Sequence, residues 1–443
     1  MQSGLPPGPS YPSLIQGIGQ WTRPLAFLER CRARYGKRFT LRLPFTPPFV
    51  MITEPEQVKE IYTAPADVLH PGEGARVLKP IVGSNSVILL DGDAHMEQRK
   101  LMLPAFHGER IERLTGLVRG VAEREVSGWE GTLELQPLLQ SLTLEIILRA
   151  VFGLDPGSRL DAVRDRLSEM LAYGDNPITL LPEPSERIQR LFSRAGPMKG
   201  FFEVREQIDR LVFDLIEERR AEPGDRDDVL AMLLQARHED GAEMTAQELR
   251  DELMSLLIAG HETTASTLAW AFERLVREPR VLARLVEEVR DGEEQRYLTA
   301  TIQETLRRRP VLPSTAPRMV KQPIEVGGWH YPTGVSLVAN AYLLHHDADV
   351  YPDPYAFRPE RFLEEPPGTY TWIPFGGGRR RCLGSSFAML EMQVVIASIL
   401  RDFELQPAGS PHEAARRRQI TVRPSGGSRI GLARRAERVE ATA

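Results

Sequence analysis

The stretch Pro374–Gly384, which reads PFGGGRRRCLG, decides the interpretation of this chain. It combines three consecutive glycines, three consecutive arginines and one of only two cysteines among 443 residues. Glycines permit a tight turn whose backbone approaches a flat ligand closely. Cys382 precedes a predicted helix from about Ser385 to Leu400. We therefore expect the helix N-terminus and the adjacent arginines to lower the pKa of this thiol and favour the thiolate.

A lone activated thiolate suits one particular use of cysteine. Without neighbouring Cys or His ligands it can supply a single axial bond to haem iron, and arginine suits the propionate carboxylates of that cofactor. The alternative is a buried structural cysteine beside a solvated basic patch. The ordered spacing of Gly, Arg, Cys and Gly favours the ligand. A phosphate-binding loop is excluded because G-x-x-x-x-G-K-[ST] does not occur.

Five residues within ten positions resemble the cysteine-loop signature of the cytochrome P450 superfamily, the haem-thiolate monooxygenases: Phe375, Gly378, Arg380, Cys382 and Gly384. The resemblance implies haem b (iron protoporphyrin IX) as the cofactor and Cys382 as the iron ligand. Phe375, Arg380 and Gly384 would bind the cofactor in the same loop. The implied fold is mainly α with small β-sheets (α+β), a single domain that encloses haem between a long central helix and the cysteine loop.

The longest helix is predicted to start at a capping box formed by Thr245 and Glu248 and to stop before Pro279, which gives about 33 residues or ~50 Å. It contains the most membrane-like window, Leu253–Phe272. Glu262 lies at the centre of that window, where an acid opposes insertion into a bilayer. We therefore expect a buried helix that crosses the core, and no membrane anchor.

The middle of this helix reads Ala259–Thr264, AGHETT. Glycine costs about 1 kcal/mol in a helix interior, and a threonine hydroxyl can bond to the i−4 carbonyl and bend the helix. The motif resembles the family's oxygen-binding kink. By that resemblance Ala259 borders the cofactor, Thr263 stabilises bound dioxygen and Glu262 relays protons toward it. The alternative is a helix-packing Gly260 with the threonines satisfied by backbone.

Three further basic residues match the family's propionate-binding positions. His95 and Arg99 are four residues apart on one predicted helix, and Arg318 follows the segment Pro313–Pro317. By the resemblance, all three bind the haem propionates. A lone His on a helix is more often a satisfied polar residue than a ligand, which is the alternative for His95.

A second charged motif is expected to stabilise the fold and to take no part in the chemistry. Glu304 and Arg307 are three residues apart on a predicted helix that ends at Pro310, a spacing typical of surface salt bridges. The segment Phe357–Phe362 resembles the family's meander, and by that resemblance Arg361 joins Glu304 and Arg307 in a buried charge network.

Composition excludes several other classes of protein. Fifty-six Lys and Arg against 61 Asp and Glu give a net charge of -5, without the basic footprint of a nucleic-acid binder. Two cysteines exclude a disulfide framework and indicate a reducing compartment. The N-terminus has no basic segment followed by an apolar run, so we expect no signal peptide and a cytoplasmic protein.

The chain is expected to form one domain over residues 1–443, with an extended proline-rich lead-in at 1–10 and a frayed tail at 433–443. A hairpin is predicted at residues 39–53, and short strands at Val320–Val326, Trp329–Tyr331 and Val335–Ala339. Apolar residues at three- and four-residue spacing predict further helices: Leu114–Trp129, Leu138–Phe152, Arg205–Arg220 and Val281–Val289.

The resemblance also implies partners. It leaves no segment for a fused reductase, so we expect a separate ferredoxin and ferredoxin reductase driven by NAD(P)H, with Arg379 and Arg381 as a docking face or merely a solvated patch. The expected substrate is a small lipophilic molecule, terpenoid or fatty-acid-like, oxidised by O2 under a lid at Leu167–Arg220. A peroxide-using or isomerising haem-thiolate enzyme and a non-catalytic haem sensor remain alternatives.

Overall fold

The computed structural model describes residues 4–106, 109–173, 199–222, 224, 226–292 and 295–435. Its α-helices are α1 (Ser13–Thr22), α2 (Pro24–Tyr35), α3 (Pro55–Thr63), α4 (Pro71–Gly74), α5 (Lys79–Val82), α6 (Gly92–Met102), α7 (Glu109–Val126), α8 (Leu135–Phe152), α9 (Ser158–Ala172), α10 (Lys199–Ala221), α11 (Val229–Gln235), α12 (Ala246–Leu275), α13 (Pro279–Asp291), α14 (Arg296–Arg308), α15 (Ala341–His345), α16 (Arg361–Glu364) and α17 (Ser385–Asp402).

The strands are short: β1 (Arg38–Leu41), β2 (Phe49–Ile52), β3 (Leu69–His70), β4 (Gly131–Glu134), β5 (Arg318–Val320), β6 (Ile324–Val326), β7 (Trp329–Tyr331), β8 (Ser336–Ala339), β9 (Phe403–Pro407), β10 (Ala415–Arg418), β11 (Thr421–Pro424) and β12 (Arg429–Arg434). They form a five-stranded sheet in the order β1-β2-β8-β5-β3, a three-stranded sheet β4-β12-β9, and the two hairpins β10-β11 and β6-β7. The predicted class, mainly α with small sheets, is confirmed.

The hairpin predicted at residues 39–53 is confirmed as the antiparallel pair β1-β2, in which Phe39 faces Met51. The strand predicted at Val320–Val326 is wrong as one element, since it is divided between β5 and β6. Pro323 precedes β6 and has no N–H to donate, so the chain leaves the large sheet there. β6 then pairs with β7 across the turn at Gly327 and Gly328.

Helix α12 follows its predicted course closely. The Thr245 hydroxyl accepts from the Glu248 N–H, and the Glu248 carboxylate accepts from the Thr245 N–H at 2.7 Å, which completes the capping box. The helix ends at Leu275, and Pro279 opens α13. Its flanks Leu253–Leu257 and Thr264–Phe272 are buried throughout, as expected for a helix that crosses the core.

Helices α12 and α8 pack closely, and a glycine allows the contact. A Cβ atom at Gly260 would lie 2.8 Å from Ile147 Cδ1 on α8, which is too close. This contact favours a small residue at position 260, although Ile147 Cδ1 is the flexible end of its side chain. Among the described residues, α8 is the one helix long and apolar enough to cross a membrane, but 72% of that window is buried inside the protein.

The predicted charge network is confirmed at the base of α14. Arg307 Nε lies 2.7 Å from Glu304 Oε2, with both side chains fully buried, and Arg361 Nε lies 3.3 Å from Glu304 Oε1. Arg307 also donates to the carbonyls of His345 at 2.7 Å and Pro354 at 2.9 Å. One guanidinium thereby joins α14, α15 and the segment before α16.

Both ends of the described chain are attached to sheets. The carbonyl of Pro7 in the lead-in accepts from the Thr40 N–H of β1 at 3.0 Å. Of the tail predicted at 433–443, Ala433 and Arg434 belong to β12, where they pair with β9. Residues 436–443 lie outside the described residues.

Candidate active site

The cysteine loop, Pro374–Gly384, is closed by its own backbone and held by an aromatic pair. The Cys382 N–H donates to the Phe375 carbonyl at 2.9 Å. The Phe375 ring packs edge-on against Trp372 with 5.8 Å between centroids. Trp372 Nε1 in turn donates to the Gln303 carbonyl of α14 at 3.2 Å. The cysteine therefore has a fixed position between α14 and the start of α17.

Two of the three loop glycines are required by a neighbouring helix. A Cβ atom at Gly377 would lie 2.3 Å from the Tyr62 ring of α3, and one at Gly378 would lie 2.3 Å from the Tyr62 carbonyl oxygen. Gly378 also has a positive φ of 62°, which favours glycine. At Gly384, in contrast, a Cβ would meet no atom within 4 Å. Open space therefore lies beside the cysteine.

The pKa of the Cys382 thiol corrects one expectation. Burial raises this pKa, and the opposing effects of the Gly384 N–H, Arg99 and Arg381 do not reverse the direction. The prediction of a lowered pKa was therefore wrong for the protein alone, because loss of hydration outweighs the nearby cations. The side chain is nevertheless accessible. A thiol that is both accessible and deep among protein atoms lines an internal cavity.

The face of α12 that carries the predicted dioxygen motif is also accessible. Ala259 is exposed and Thr263 half-buried, although the helix is buried on both sides of them. They lie one turn apart, and Thr263 Oγ1 donates to the Ala259 carbonyl at 2.6 Å. This is the predicted i−4 bond. With its hydrogen used there, Thr263 Oγ1 can accept a hydrogen bond from a group in the cavity.

The predicted propionate-binding residues form one basic cluster. Burial, followed by the charges of Arg380, Arg99 and Arg318, lowers the pKa of His95 to about 3. Burial also lowers the pKa of Arg318, and it lowers that of Arg380 to about 10. Within the described chain, the only ion pair of these arginines joins Arg380 Nη2 to Asp91 Oδ1 at 2.7 Å. The cluster thus has more positive than negative charge.

A clamp around Arg380 was missed by sequence reasoning. Besides Asp91, this guanidinium donates to the Val87 carbonyl at 3.1 Å and to the Leu90 carbonyl. Asp91 Oδ1 also accepts from the Gly72 N–H at 2.8 Å. Nothing in the local sequence indicates that residues about 290 positions apart meet in this way.

Polar side chains of α12 also bind the segment that precedes Asp91, at Asn85 and Val87. Asp251 Oδ2 accepts from the Asn85 N–H at 3.0 Å, and Glu252 Oε1 accepts from the Val87 N–H at 2.7 Å. The segment at residues 70–90 is therefore attached both to α12 and to the cysteine loop. Residues 174–198 of the expected lid lie outside the described residues.

Glu262, the predicted proton relay, is adjacent to Thr263 in sequence but has different neighbours. Its Oε2 accepts from Gln140 Nε2 at 2.6 Å and from Arg418 Nη1 at 3.1 Å. Ser266 Oγ donates to Oε1 at 3.2 Å. Sequence reasoning found the acid but missed Gln140 and Arg418, which come from α8 and β10 and carry no motif.

These observations fit a flat, anionic cofactor with one metal-ligand bond. Cys382 supplies a sulfur on the cavity wall, and the basic cluster of His95, Arg99, Arg318 and Arg380 supplies the charge that two propionates need. Within the described residues no group of three or more His, Cys, Asp or Glu could hold a metal by itself. A single thiolate and a cationic cradle together define a haem-thiolate site.

Comparison with known proteins agrees with this class of site. The family model described as cytochrome P450 matches residues 4–429. A Mycobacterium tuberculosis protein named cytochrome P450 135B1 is 38% identical over 436 residues, 96% of this chain and 91% of the relative. Another protein from that organism, named cytochrome P450 138, is 38% identical over 435 residues, 97% of each chain.

A solved structure shows the same fold. Cyanobacterial CYP120A1 with bound retinoic acid superposes with a TM-score of 0.83 at 22% identity, covering 98% of this chain and 100% of that chain. The chain belongs to the cytochrome P450 family. It is accordingly a monooxygenase oxidoreductase with haem as its cofactor, as the cysteine loop indicated.

Proposed function

We propose that this cytochrome P450 inserts one atom of O2 into a small lipophilic substrate, by hydroxylation or epoxidation, and that a terpenoid or fatty-acid-like lipid is the substrate. The observation that carries the proposal is the accessible face of Ala259 and Thr263 between the buried flanks Leu253–Leu257 and Thr264–Phe272 of α12. Such a face can border both a cofactor and an apolar substrate without further polar groups.

The proposed cofactor contacts follow from the basic cluster and the cysteine loop. Cys382 would ligate the iron, while His95, Arg99, Arg318 and Arg380 would bind the propionates. The charge of the cluster supports this role, because buried arginines need anionic partners. The other proposed haem contacts are Ala259, Phe375 and Gly384.

The protein's own residues would control the protons. When bound and reduced, thiolate-ligated haem supplies the chemistry that activates O2. Thr263 Oγ1 would accept a hydrogen bond in the cavity, because its hydrogen is engaged by the Ala259 carbonyl at 2.6 Å. Glu262 would relay protons from the side of α12 where Gln140 and Arg418 hold its carboxylate. The mainly apolar flanks of α12 would exclude bulk water.

We propose separate electron donors, a ferredoxin and its NAD(P)H-driven reductase. Arg379 and Arg381 are both exposed beside the cysteine loop, which supports a docking face for an acidic protein. We further propose a single domain over residues 1–443, a cytoplasmic location and no nucleic-acid partner. Product formation that requires the ferredoxin system would exclude the peroxide-using, isomerising and sensor alternatives.

The decisive test of the ligand is the carbon monoxide difference spectrum of the reduced protein. Wild type should give a thiolate-type Soret band, and Cys382→Ala should lose it. Cys31→Ala is the matched control, because Cys31 is buried and burial raises its pKa to about 11. Survival of the band in Cys382→Ala would remove the ligand assignment.

The substrate class is tested separately by the spin-state change on titration with lipophiles. Terpenoids, fatty acids, steroids and polyketides form the panel, with retinoic acid included because CYP120A1 binds it. Terpenoids or fatty acids should give the largest shifts at the lowest concentrations. A response confined to steroids or polyketides would contradict the proposed substrate while leaving the enzyme class intact.

A further inference from the structure

The most exposed large hydrophobic side chains are concentrated near the N-terminus. Six such side chains stand out among the described residues, and five of them lie between residues 11 and 45: Tyr11, Leu14, Ile15, Ile18 and Phe45, at 40%, 65%, 53%, 55% and 79% exposure. The sixth, Tyr355, is 54% exposed and lies elsewhere in the sequence. Exposed apolar side chains that occur together indicate an interaction surface.

The five side chains belong to one surface, which we call the N-terminal patch. Leu14, Ile15 and Ile18 share a face of α1 by their three- and four-residue spacing. Gln16 on the opposite face is buried, and its Oε1 accepts from the Arg42 N–H at 2.9 Å. These contacts bring α1 beside the turn that presents Phe45.

No contact with another described residue explains the conformation of Phe45. Its φ is +59°, a left-handed value that is unfavourable for a bulky residue. The ring is the most exposed large hydrophobic side chain among the described residues, so packing inside the protein does not offset the strain. A contact outside the protein would explain why a phenylalanine is presented there.

The segment that carries the patch is rich in positive charge. Residues 1–53 contain seven Lys and Arg and a single acid, Glu29, although the whole chain has a net charge of -5. Four of these arginines are exposed and form no ion pair with another described residue: Arg23, Arg30, Arg34 and Arg42. Arg30 and Arg34 lie close enough to Tyr11 to act on it electrostatically, Arg23 follows α1 directly, and the Arg42 N–H donates to Gln16 of α1. Apolar side chains with arginines near them are the pattern of a surface that lies on an anionic bilayer.

We propose that the N-terminal patch docks this protein reversibly onto anionic lipid membranes, with Ile18 and Phe45 inserted at the headgroup level. Protruding side chains on a short helix and a turn suit a fluid interface, whereas a protein partner would need a matching groove. The arginines supply the preference for negatively charged lipid. Such binding needs no spanning segment and does not depend on the proposed substrate.

The test is co-sedimentation of the full-length holoprotein with vesicles of phosphatidylcholine alone or with one third phosphatidylglycerol. Wild type should bind the phosphatidylglycerol vesicles, and added salt should weaken this binding. The double variant Ile18→Ser/Phe45→Ser should bind about tenfold or more weakly. Tyr355→Ser removes a ring that is 54% exposed and lies outside both α1 and the Phe45 turn, so it should bind as wild type does.

Two further measurements keep the result unambiguous. The carbon monoxide spectrum of each reduced variant should match that of wild type, which excludes misfolding as the cause of lost binding. Sedimentation velocity tests self-association. Failure of wild type to bind either vesicle, equal binding by the double variant, or a dimer that the double variant abolishes would each overturn the membrane proposal.

Discussion

Arg418 Nη1 lies 3.1 Å from Glu262 Oε2, and the two side chains are only 12% and 13% exposed. This ion pair joins the centre of α12 to strand β10. Because Gln140 and Ser266 bind the same carboxylate, three neighbours fix the orientation of Glu262. The proposed proton relay therefore starts from a carboxylate that is already held in place, while Thr263 beside it faces the cavity.

The coupling between Arg418 and Glu262 can be measured through the free energy of unfolding. Arg418→Gln should lower the free energy of unfolding by about 1–3 kcal/mol, because a largely buried carboxylate loses its charged partner. Glu262→Gln should be destabilising as well, and the double variant should cost at least about 1 kcal/mol less than the sum of the single variants. Urea denaturation gives all three values. Arg416→Gln, on the same strand but exposed, is the control, and strictly additive costs would show that the pair is not coupled.

Thr263→Ala should retain haem but divert electrons from product to hydrogen peroxide. The variant loses the Oγ1 atom that is fixed by the Ala259 carbonyl, and with it the hydrogen-bond acceptor proposed for the cavity. Peroxide release and product formed per NAD(P)H consumed are the measurements. Thr267→Ala is the matched control, since the Thr267 hydroxyl donates to the Thr263 carbonyl at 2.8 Å and the side chain is buried. Fully coupled turnover in Thr263→Ala would refute its role.

The features that were predicted correctly from the sequence are those that depend on local motifs. Cys382 sits in a continuous loop of eleven residues, and Glu304 and Arg307 share one turn of a helix, so spacing alone brings each group together. The capping box at Thr245 is local in the same way. Such patterns can be recognised in the sequence because their geometry depends only on the backbone between neighbouring residues.

Contacts between distant segments could not be predicted. Arg418 meets Glu262 across 156 residues, and Arg380 meets Asp91 across 289. Each contact depends on how whole elements pack. The prediction of a lowered pKa for Cys382 was wrong for the same reason. The arginines beside it are visible in the sequence, whereas the burial that outweighs them appears only in the folded chain.

The buried network at α14 should be essential for stability. Glu304→Gln leaves the fully buried Arg307 guanidinium without a carboxylate, so we expect a loss of about 3–5 kcal/mol in the free energy of unfolding. Chemical denaturation of the holoprotein measures this loss. Glu364→Gln removes a carboxylate that is 57% exposed and paired with Arg358, and should change stability by less than about 1 kcal/mol. Equal effects of the two changes would contradict a special role for the buried network.

Glu252 should give the protein a specific pH dependence. Burial raises the pKa of this carboxyl to about 8, although the Val87 N–H and Gln98 oppose the shift. The unfolded chain releases the proton near its ordinary pKa of 4.5. Between these values the folded state binds a proton that the unfolded state has lost, so the contribution of Glu252 to stability falls as pH rises from 4.5 toward 8.

The variant Glu252→Gln should remove this pH dependence. The difference in free energy of unfolding between the variant and wild type should therefore increase from pH 5.5 to pH 8. Glu252 accepts a hydrogen bond from the Val87 N–H, and replacing its carboxyl group by an amide adds a cost that does not change with pH. Urea denaturation at several pH values measures the slope, which does not depend on that constant. For Glu287→Gln, at an exposed position on α13, the curve of unfolding free energy against pH should run parallel to that of wild type. A Glu252→Gln curve that also ran parallel would mean that this buried carboxyl titrates with an ordinary pKa.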